Sequence, residues 1–129
     1  MPDLDLDAMR VLVVEDEPAI RMVLTEVLSD EGYEVRGAGD GQTALGLLEE
    51  WVPRVILLDF TLPGMDGSEF RARQRALADA GRVPVILVTG AYLQDDAIAG
   101  FEADAIIAKP FDLDELVAVV ARVIASNGS

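Results

Sequence analysis

The sequence predicts an α/β domain: a three-layer α/β/α sandwich in which five β-α units build a five-stranded parallel sheet. Three observations predict it. Short apolar runs alternate with stretches of helical period five times along the chain. The crossovers are long enough to bring every strand back parallel, and right-handed crossovers then cover both faces of the sheet. The first, third and fourth strands are Val, Ile and Leu runs without polar alternation, as burial on both faces requires.

Arg10–Val14 is the first expected strand. Pro18 suits the first turn of a helix whose buried stripe would be Ile20, Val23, Leu24, Val27 and Leu28, ended by Gly32. Tyr33–Ala38 is a short strand, and Asp40 caps a helix with Ala44, Leu47, Leu48 and Trp51 on one face. Pro53 stops that helix before the strand Arg54–Leu58. After a turn at 64–67, a helix is expected from Ser68 to Asp79, with only Phe70 and Leu77 as large apolar anchors. Gly81 breaks it, and Val83–Val88 forms the fourth strand. A weak helix is expected from Leu93 to Phe101, interrupted by Gly100. Ala105–Ala108 is the fifth strand. Asp112 and Glu115 form a capping box for a last helix packing Leu113, Leu116, Val117, Val120 and Ile124, followed by a frayed tail.

At 129 residues the chain has the length of one domain. The expected division is an acidic extension at 1–9, the domain at 10–124 and a tail at 125–129, with no repeat or linker. No apolar run approaches the ~20 residues of a membrane span, and the acidic start is unlike a signal peptide, so a soluble, cytoplasmic protein is expected. The chain has no cysteine and no histidine. Thiol chemistry, imidazole metal sites and a histidine base are excluded, and any metal must take oxygen ligands: Mg²⁺, Ca²⁺ or Mn²⁺. A net charge of −14 argues against direct nucleic-acid binding. Arg71, Arg73, Arg75 and Arg82 form one local exception, read as a solvated helix face.

In an open parallel sheet the ligand site lies at the carboxyl ends of the strands. Here those ends carry Glu15-Asp16, Asp59, Thr89 and Lys109. Three carboxylates at close range repel at order 1 kcal/mol per pair even when well solvated. Either one acid stays protonated or a divalent cation binds, and Mg²⁺ suits an oxygen-only site best. A carboxylate beside such a cation is a nucleophile for phosphorus. Phosphoryl transfer then needs mainly placement and charge neutralisation. Lys109 offers a mobile ammonium and Thr89 a hydroxyl; the backbone N–H groups of Phe60 and Gly90 would complete a cradle.

These segments resemble the receiver domains of two-component response regulators, the group of the chemotaxis protein CheY. The likeness is carried by Val13-Val14-Glu15-Asp16-Glu17-Pro18, by Leu57-Leu58-Asp59 through Asp66-Gly67, by Val88-Thr89-Gly90-Ala91 and by Ala108-Lys109-Pro110-Phe111. It spans about Arg10 to Ile124. It implies a flavodoxin-like sheet of order 2-1-3-4-5 and an Asp59 that takes a phosphoryl group from a histidine kinase or histidine phosphotransfer domain. It also implies Mg²⁺ on Asp16, Asp59 and the Thr61 carbonyl, Glu15 acting through water; Mn²⁺ is the substitute that the oxygen-only ligand set allows. Lys109 would contact the phosphoryl group and precede a cis Pro110. The chain would be no enzyme, only an acceptor that assists its own phosphorylation and dephosphorylation and then controls a downstream protein.

The chain departs from the family at Ile106, where an aromatic ring normally rotates inward as the switch. Tyr92 is a candidate substitute, and the expected signal route is Thr89, the loop after it and the weak helix. Two rival functions are considered. A haloacid-dehalogenase-type phosphatase would place an acid two residues after its nucleophile, but Thr61 stands there. A phosphorylation-independent interaction module would have no need of Glu15, Asp16, Asp59, Thr89 and Lys109 together.

Overall fold

Every second residue of the central strands faces a different hydrophobic layer, and this places the site at one end of the sheet. The computed structural model describes residues 9–60, 62, 64–65, 67–90 and 101–127. The strands are β1 (Arg10–Val14), β2 (Glu34–Ala38), β3 (Val55–Asp59), β4 (Val85–Thr89) and β5 (Ala105–Ala108). The helices among the described residues are α1 (Pro18–Asp30), α2 (Gly41–Leu48), α3 (Gly67–Arg75) and α4 (Leu113–Asn127), with a 3₁₀ turn at Ala80–Arg82. The sheet is parallel throughout, in the order β2-β1-β3-β4-β5. No described helix is long and apolar enough to cross a membrane.

Leu12, Val14, Ile56, Leu58, Val85 and Leu87 pack with Ala44, Leu48 and Phe70 on one face. Val11, Val13, Val55, Leu57, Ile86 and Val88 pack with Leu24, Leu28, Leu116 and Val120 on the other. This strict alternation follows from the two-residue period of a strand, and it explains why the runs carry no polar position. Register then aligns the strand ends: Val14 pairs with Ala38 and Leu58, Asp59 with Val88, and Thr89 with Ala108.

Several expected details change. β3 and β4 begin later than expected and extend one residue further, so Asp59 and Thr89 lie within the ladder itself. Val23 is 44% exposed; the i, i+4 row Ile20, Leu24, Leu28 faces the sheet, and Val23 sits on its flank. Asp40 caps α2 as expected, accepting from the Thr43 N–H at 2.7 Å. Trp51 lies past the end of α2 yet is buried, with the Arg10 and Arg36 guanidinium carbons 5.4 and 4.7 Å from its ring centre. Asp112 caps α4 through the Asp114 N–H at 2.9 Å, one residue short of the expected capping box. α4 continues to Asn127 rather than fraying after Ile124. Apart from Phe101, the helix expected at 93–101 lies outside the described residues.

Helix α3 stops at Arg75, four residues early. Gln74 is buried and donates through Nε2 to the carbonyls of Ala80 (2.6 Å) and Val83 (3.2 Å), fastening the returning chain beneath the helix end. A Cβ at Gly81 would stand 2.8 Å from the Arg75 carbonyl, so this return needs glycine. Arg71 is not solvated either. It is buried, with guanidinium donors to Gln74 Oε1 (3.1 Å) and the Glu102 carbonyl (3.2 Å), an ion pair to Asp104 (3.6 Å), and the Phe101 ring at 5.6 Å. Arg73 and Arg75 pair at the surface with Glu69 and Glu102. Arg71→Ala is therefore expected to cost about 1–2 kcal/mol in a urea titration, through lost packing and stranded acceptors. Arg73→Ala should stay within about 0.5 kcal/mol. Equal losses would contradict this division of roles.

Candidate functional site

Four strand ends converge on an acidic cluster. Glu15 follows β1, and its N–H extends the ladder by donating to the Ala38 carbonyl at 3.0 Å. Asp59 closes β3 and Thr89 closes β4; Lys109 follows β5, its N–H donating to the Thr89 carbonyl at 2.7 Å. Glu15, Asp59 and Thr89 are buried, whereas Asp16 is exposed at the rim. One carboxylate oxygen from each of Glu15, Asp16 and Asp59 lies within 4.8 Å of the others. Lys109 Nζ reaches Asp59 Oδ2 at 3.2 Å and Glu15 Oε1 at 3.6 Å. The peptide bond before Pro110 is cis.

The electrostatics follow from this crowding. Burial first, and then the Asp59 charge, pushes the Glu15 carboxyl up to about 6, although the Glu17 N–H at 3.2 Å and Lys109 pull the other way. Burial acts to lower the Lys109 ammonium, but the charges of Asp59 and Glu15 outweigh it and hold Lys109 above its usual value. Among the described residues, the Lys109 ammonium pairs with the buried Asp59 and Glu15, and Asp16 stands beside them. Such a cluster of hard oxygen donors fits a divalent cation of the Mg²⁺ type.

Two expected contributors behave differently. The Phe60 N–H is already donated to the Val88 carbonyl at 3.0 Å, because β3 reaches one residue further than its apolar run; it cannot serve a phosphoryl cradle. The Thr89 hydroxyl donates to the Gly90 carbonyl at 3.1 Å. Gly90 is half-buried at the end of β4. Thr61 and Tyr92 lie outside the described residues. Ile106 projects from β5 and is 48% exposed.

Contacts that join distant segments have no counterpart in the local sequence pattern. The Phe60 ring meets Phe101 edge-on, centroids 5.7 Å apart at 72°, linking the residue after Asp59 to Phe101. A Cβ at Gly67 would come within 2.7 Å of the Phe60 ring, so the start of α3 needs glycine. Arg21 of α1 donates from Nη1 to the Glu15 carbonyl at 2.7 Å. A basic residue one turn into the helix that follows Glu15-Asp16-Glu17 is the available signal for it.

Comparison with known proteins agrees with this geometry. The model of the response regulator receiver domain matches residues 11–121. The DNA-binding response regulator MtrA of Mycolicibacterium smegmatis is 40% identical over 119 residues, covering 91% of this chain and 51% of MtrA. The regulatory protein AtoC of Escherichia coli K12 is 36% identical, covering 89% of this chain and 25% of AtoC. The chain thus spans about half the length of MtrA and a quarter of AtoC. Among solved structures, the receiver domain of sensor histidine kinase PA1611 from Pseudomonas aeruginosa PAO1 superposes with a TM-score of 0.82 at 33% identity, over 91% of this chain and 98% of that one. That structure holds a magnesium ion coordinated in its active-site cleft. The chemotaxis response regulator CheY4 of Vibrio cholerae gives a TM-score of 0.80 at 29% identity, over 88% and 97% of the two chains. These matches set aside the phosphatase alternative, and this chain's own sheet order and acidic strand ends agree with them: the chain belongs to the response regulator receiver domain family, the phosphoryl-accepting switches of two-component systems.

Proposed function

We propose that Asp59 is the phosphoryl acceptor of this receiver domain. Asp16, Asp59 and the Thr61 carbonyl would hold Mg²⁺ or Mn²⁺, with Glu15 acting through water, and Lys109 and Thr89 would stabilise the transferred group. The observation that carries this reading is the buried Asp59 carboxylate with Lys109 Nζ at 3.2 Å and two further acids around it. An interaction module indifferent to phosphate would have no reason to keep two buried acids in mutual repulsion.

When bound, Mg²⁺ supplies charge neutralisation to the acids and to the phosphoryl oxygens. The chain's own groups do the rest. An Asp59 oxygen bonds to phosphorus as the donor's P–N bond breaks; the histidine is the donor's, since this chain has none. Lys109 already bridges Asp59 and Glu15, so its ammonium can follow the negative charge from carboxylate to phosphoryl group. Thr89 must give up its bond to the Gly90 carbonyl before its hydroxyl can donate to that group. This makes Thr89 the first element to move, and the neighbouring 90–101 segment its outlet. Ile106, with no ring to rotate, is a bystander in that route. Tyr92 is the candidate aromatic within it.

The donor's landing place is contiguous with the site. An apolar groove of about 270 Å³ is lined by Ala19, Ile20, Val23, Leu24, Phe111 and Lys109, which also reaches into the acidic cluster. Val23 in the groove is 44% exposed, and Met22, its neighbour along α1, is 62% exposed. A histidine-bearing domain of a histidine kinase, or a phosphotransfer domain, seated there would bring its phosphoryl group over Asp59.

The test is transfer of labelled phosphate from phosphorylated donor domains, in a Mg²⁺-dependent reaction that hydroxylamine reverses. Met22→Glu with Val23→Glu should slow transfer from a protein donor at least about tenfold while leaving transfer from acetyl phosphate unchanged. Lys109→Ala should keep Mg²⁺ binding and impair both. No label from any donor in the presence of Mg²⁺ would favour the phosphate-indifferent module instead.

A further inference from the structure

We propose that Arg21 is a positioning residue for the acidic site, a role that rests on the receiver reading of that site. β1 ends at Val14, so the Glu15 carbonyl has no strand partner in the sheet. Arg21 Nη1 fills that place at 2.7 Å. The Glu15 N–H is held by Ala38 at 3.0 Å, so the peptide units on both sides of Glu15 are fixed. The unit bonded by Arg21 joins Glu15 to Asp16, and its plane sets the direction in which both acids leave the backbone. A single side chain thereby aims two of the three carboxylates.

The route taken by Arg21 is itself built into the sequence. The side chain crosses β2 and the loop after it, where Gly37 and Gly39 stand. A Cβ at Gly37 would lie 3.1 and 3.2 Å from Arg21 Cδ and Cγ; one at Gly39 would lie 3.0 Å from Nη1. Neither glycine has the positive φ that would otherwise call for one. Glycine within a strand ordinarily weakens it, so this pair is accounted for by the arginine lying over it. At the helix end of the reach, Arg21 N–H donates to the Glu17 carbonyl at 3.0 Å and its own carbonyl accepts from Thr25 Oγ1 at 2.8 Å. The guanidinium is therefore delivered from a fixed point.

A supporting charge and a positioning contact predict opposite signs. If Arg21 acted only as a nearby positive charge, removing it would tighten Mg²⁺ binding to the acids. If it aims them, removal weakens binding, by about tenfold for a contact that orients metal ligands. The experiment titrates Mg²⁺ alone into the full chain by calorimetry. Arg21→Met is expected to raise the Kd about tenfold, and Arg21→Lys to recover part of the loss. Gly37→Val leaves the arginine in place but fills its path; it should weaken Mg²⁺ by a similar factor, and the double variant Arg21→Met with Gly37→Val should be no worse than either single change. Affinity that is unchanged or tighter in both single variants overturns the proposal.

A metal-free arm separates this from the site reading. The Glu17 N–H donates to Glu15 Oε2 at 3.2 Å and reports where that carboxylate sits. Its exchange with solvent, followed by NMR, should accelerate at least fivefold in Arg21→Met; an unchanged rate overturns the proposal. Wild-type protein that takes up no Mg²⁺ would sink the reading of the site alone, and the exchange measurement would still decide Arg21.

Discussion

Asp59→Asn should reduce phosphoryl uptake to background from every donor, the largest effect any single change at this site can have. The amide keeps the shape of the buried carboxylate and can still accept from Lys109, so the loss reports chemistry rather than collapse. Mg²⁺ binding should weaken as well, because one of three converging carboxylates is gone. The response should vanish with the acceptor. In wild-type protein, beryllofluoride with Mg²⁺ should shift the NMR resonances of Thr89 and of residues 90–101, the segment that ends at the Phe60–Phe101 contact. In Asp59→Asn those shifts should be absent. Label held by Asp59→Asn in a form stable to hydroxylamine would contradict the assignment of the acceptor. Wild-type shifts confined to another face, with 90–101 silent, would sink the proposed route while leaving the acceptor intact.

The site was legible because parallel strands expose their chemistry at their ends. Val11–Val14 followed by Glu15-Asp16, Val55–Leu58 followed by Asp59, and Ala105–Ala108 followed by Lys109 are local patterns, and the sheet rule brings them together without further information. What local pattern cannot carry is the reach of a long side chain. Arg71 looks like one arginine among three on a polar helix until the chain returns 31 residues later to place the Glu102 carbonyl against it. Gln74 and Arg21 are the same case: each spends its polar end on backbone carbonyls that another segment supplies. The Phe60 amide was misjudged for a related reason. Whether a strand's last N–H is free depends on how far its neighbour extends, and Val88 on β4 takes that donor. Val23 shows the limit of periodicity: a stripe read from sequence is wider than the row of side chains that finally touches the sheet.

Without Mg²⁺, stability should fall as pH rises from about 4.5 to about 6, the reverse of what an ion-paired carboxylate produces. Glu15 has its pKa raised from 4.5 to about 6 in the folded protein, first by burial and then by Asp59. Across that window the folded state binds more protons than the unfolded chain, so the slope of unfolding free energy with pH is negative. The contribution is fully present below the unfolded pKa and is lost as pH passes the folded one. A shift of this size corresponds to order 2 kcal/mol, or roughly 5–10 °C in Tm for a domain of this length. Lys109, held above its usual value, keeps its contribution until far more alkaline pH. Asp40, held below the usual range by the Thr43 N–H, acts only in stronger acid. Neither therefore intrudes on the window. Mg²⁺ needs the same carboxylate ionised, so its stabilisation should be small near pH 4.5 and grow toward pH 7 as the proton ceases to compete. Thermal melts with and without Mg²⁺ should diverge across this window, and Glu15→Gln should flatten the metal-free curve. Parallel curves, or a metal-free wild type no steeper than Glu15→Gln, would mean that the buried acids do not repel as their packing requires.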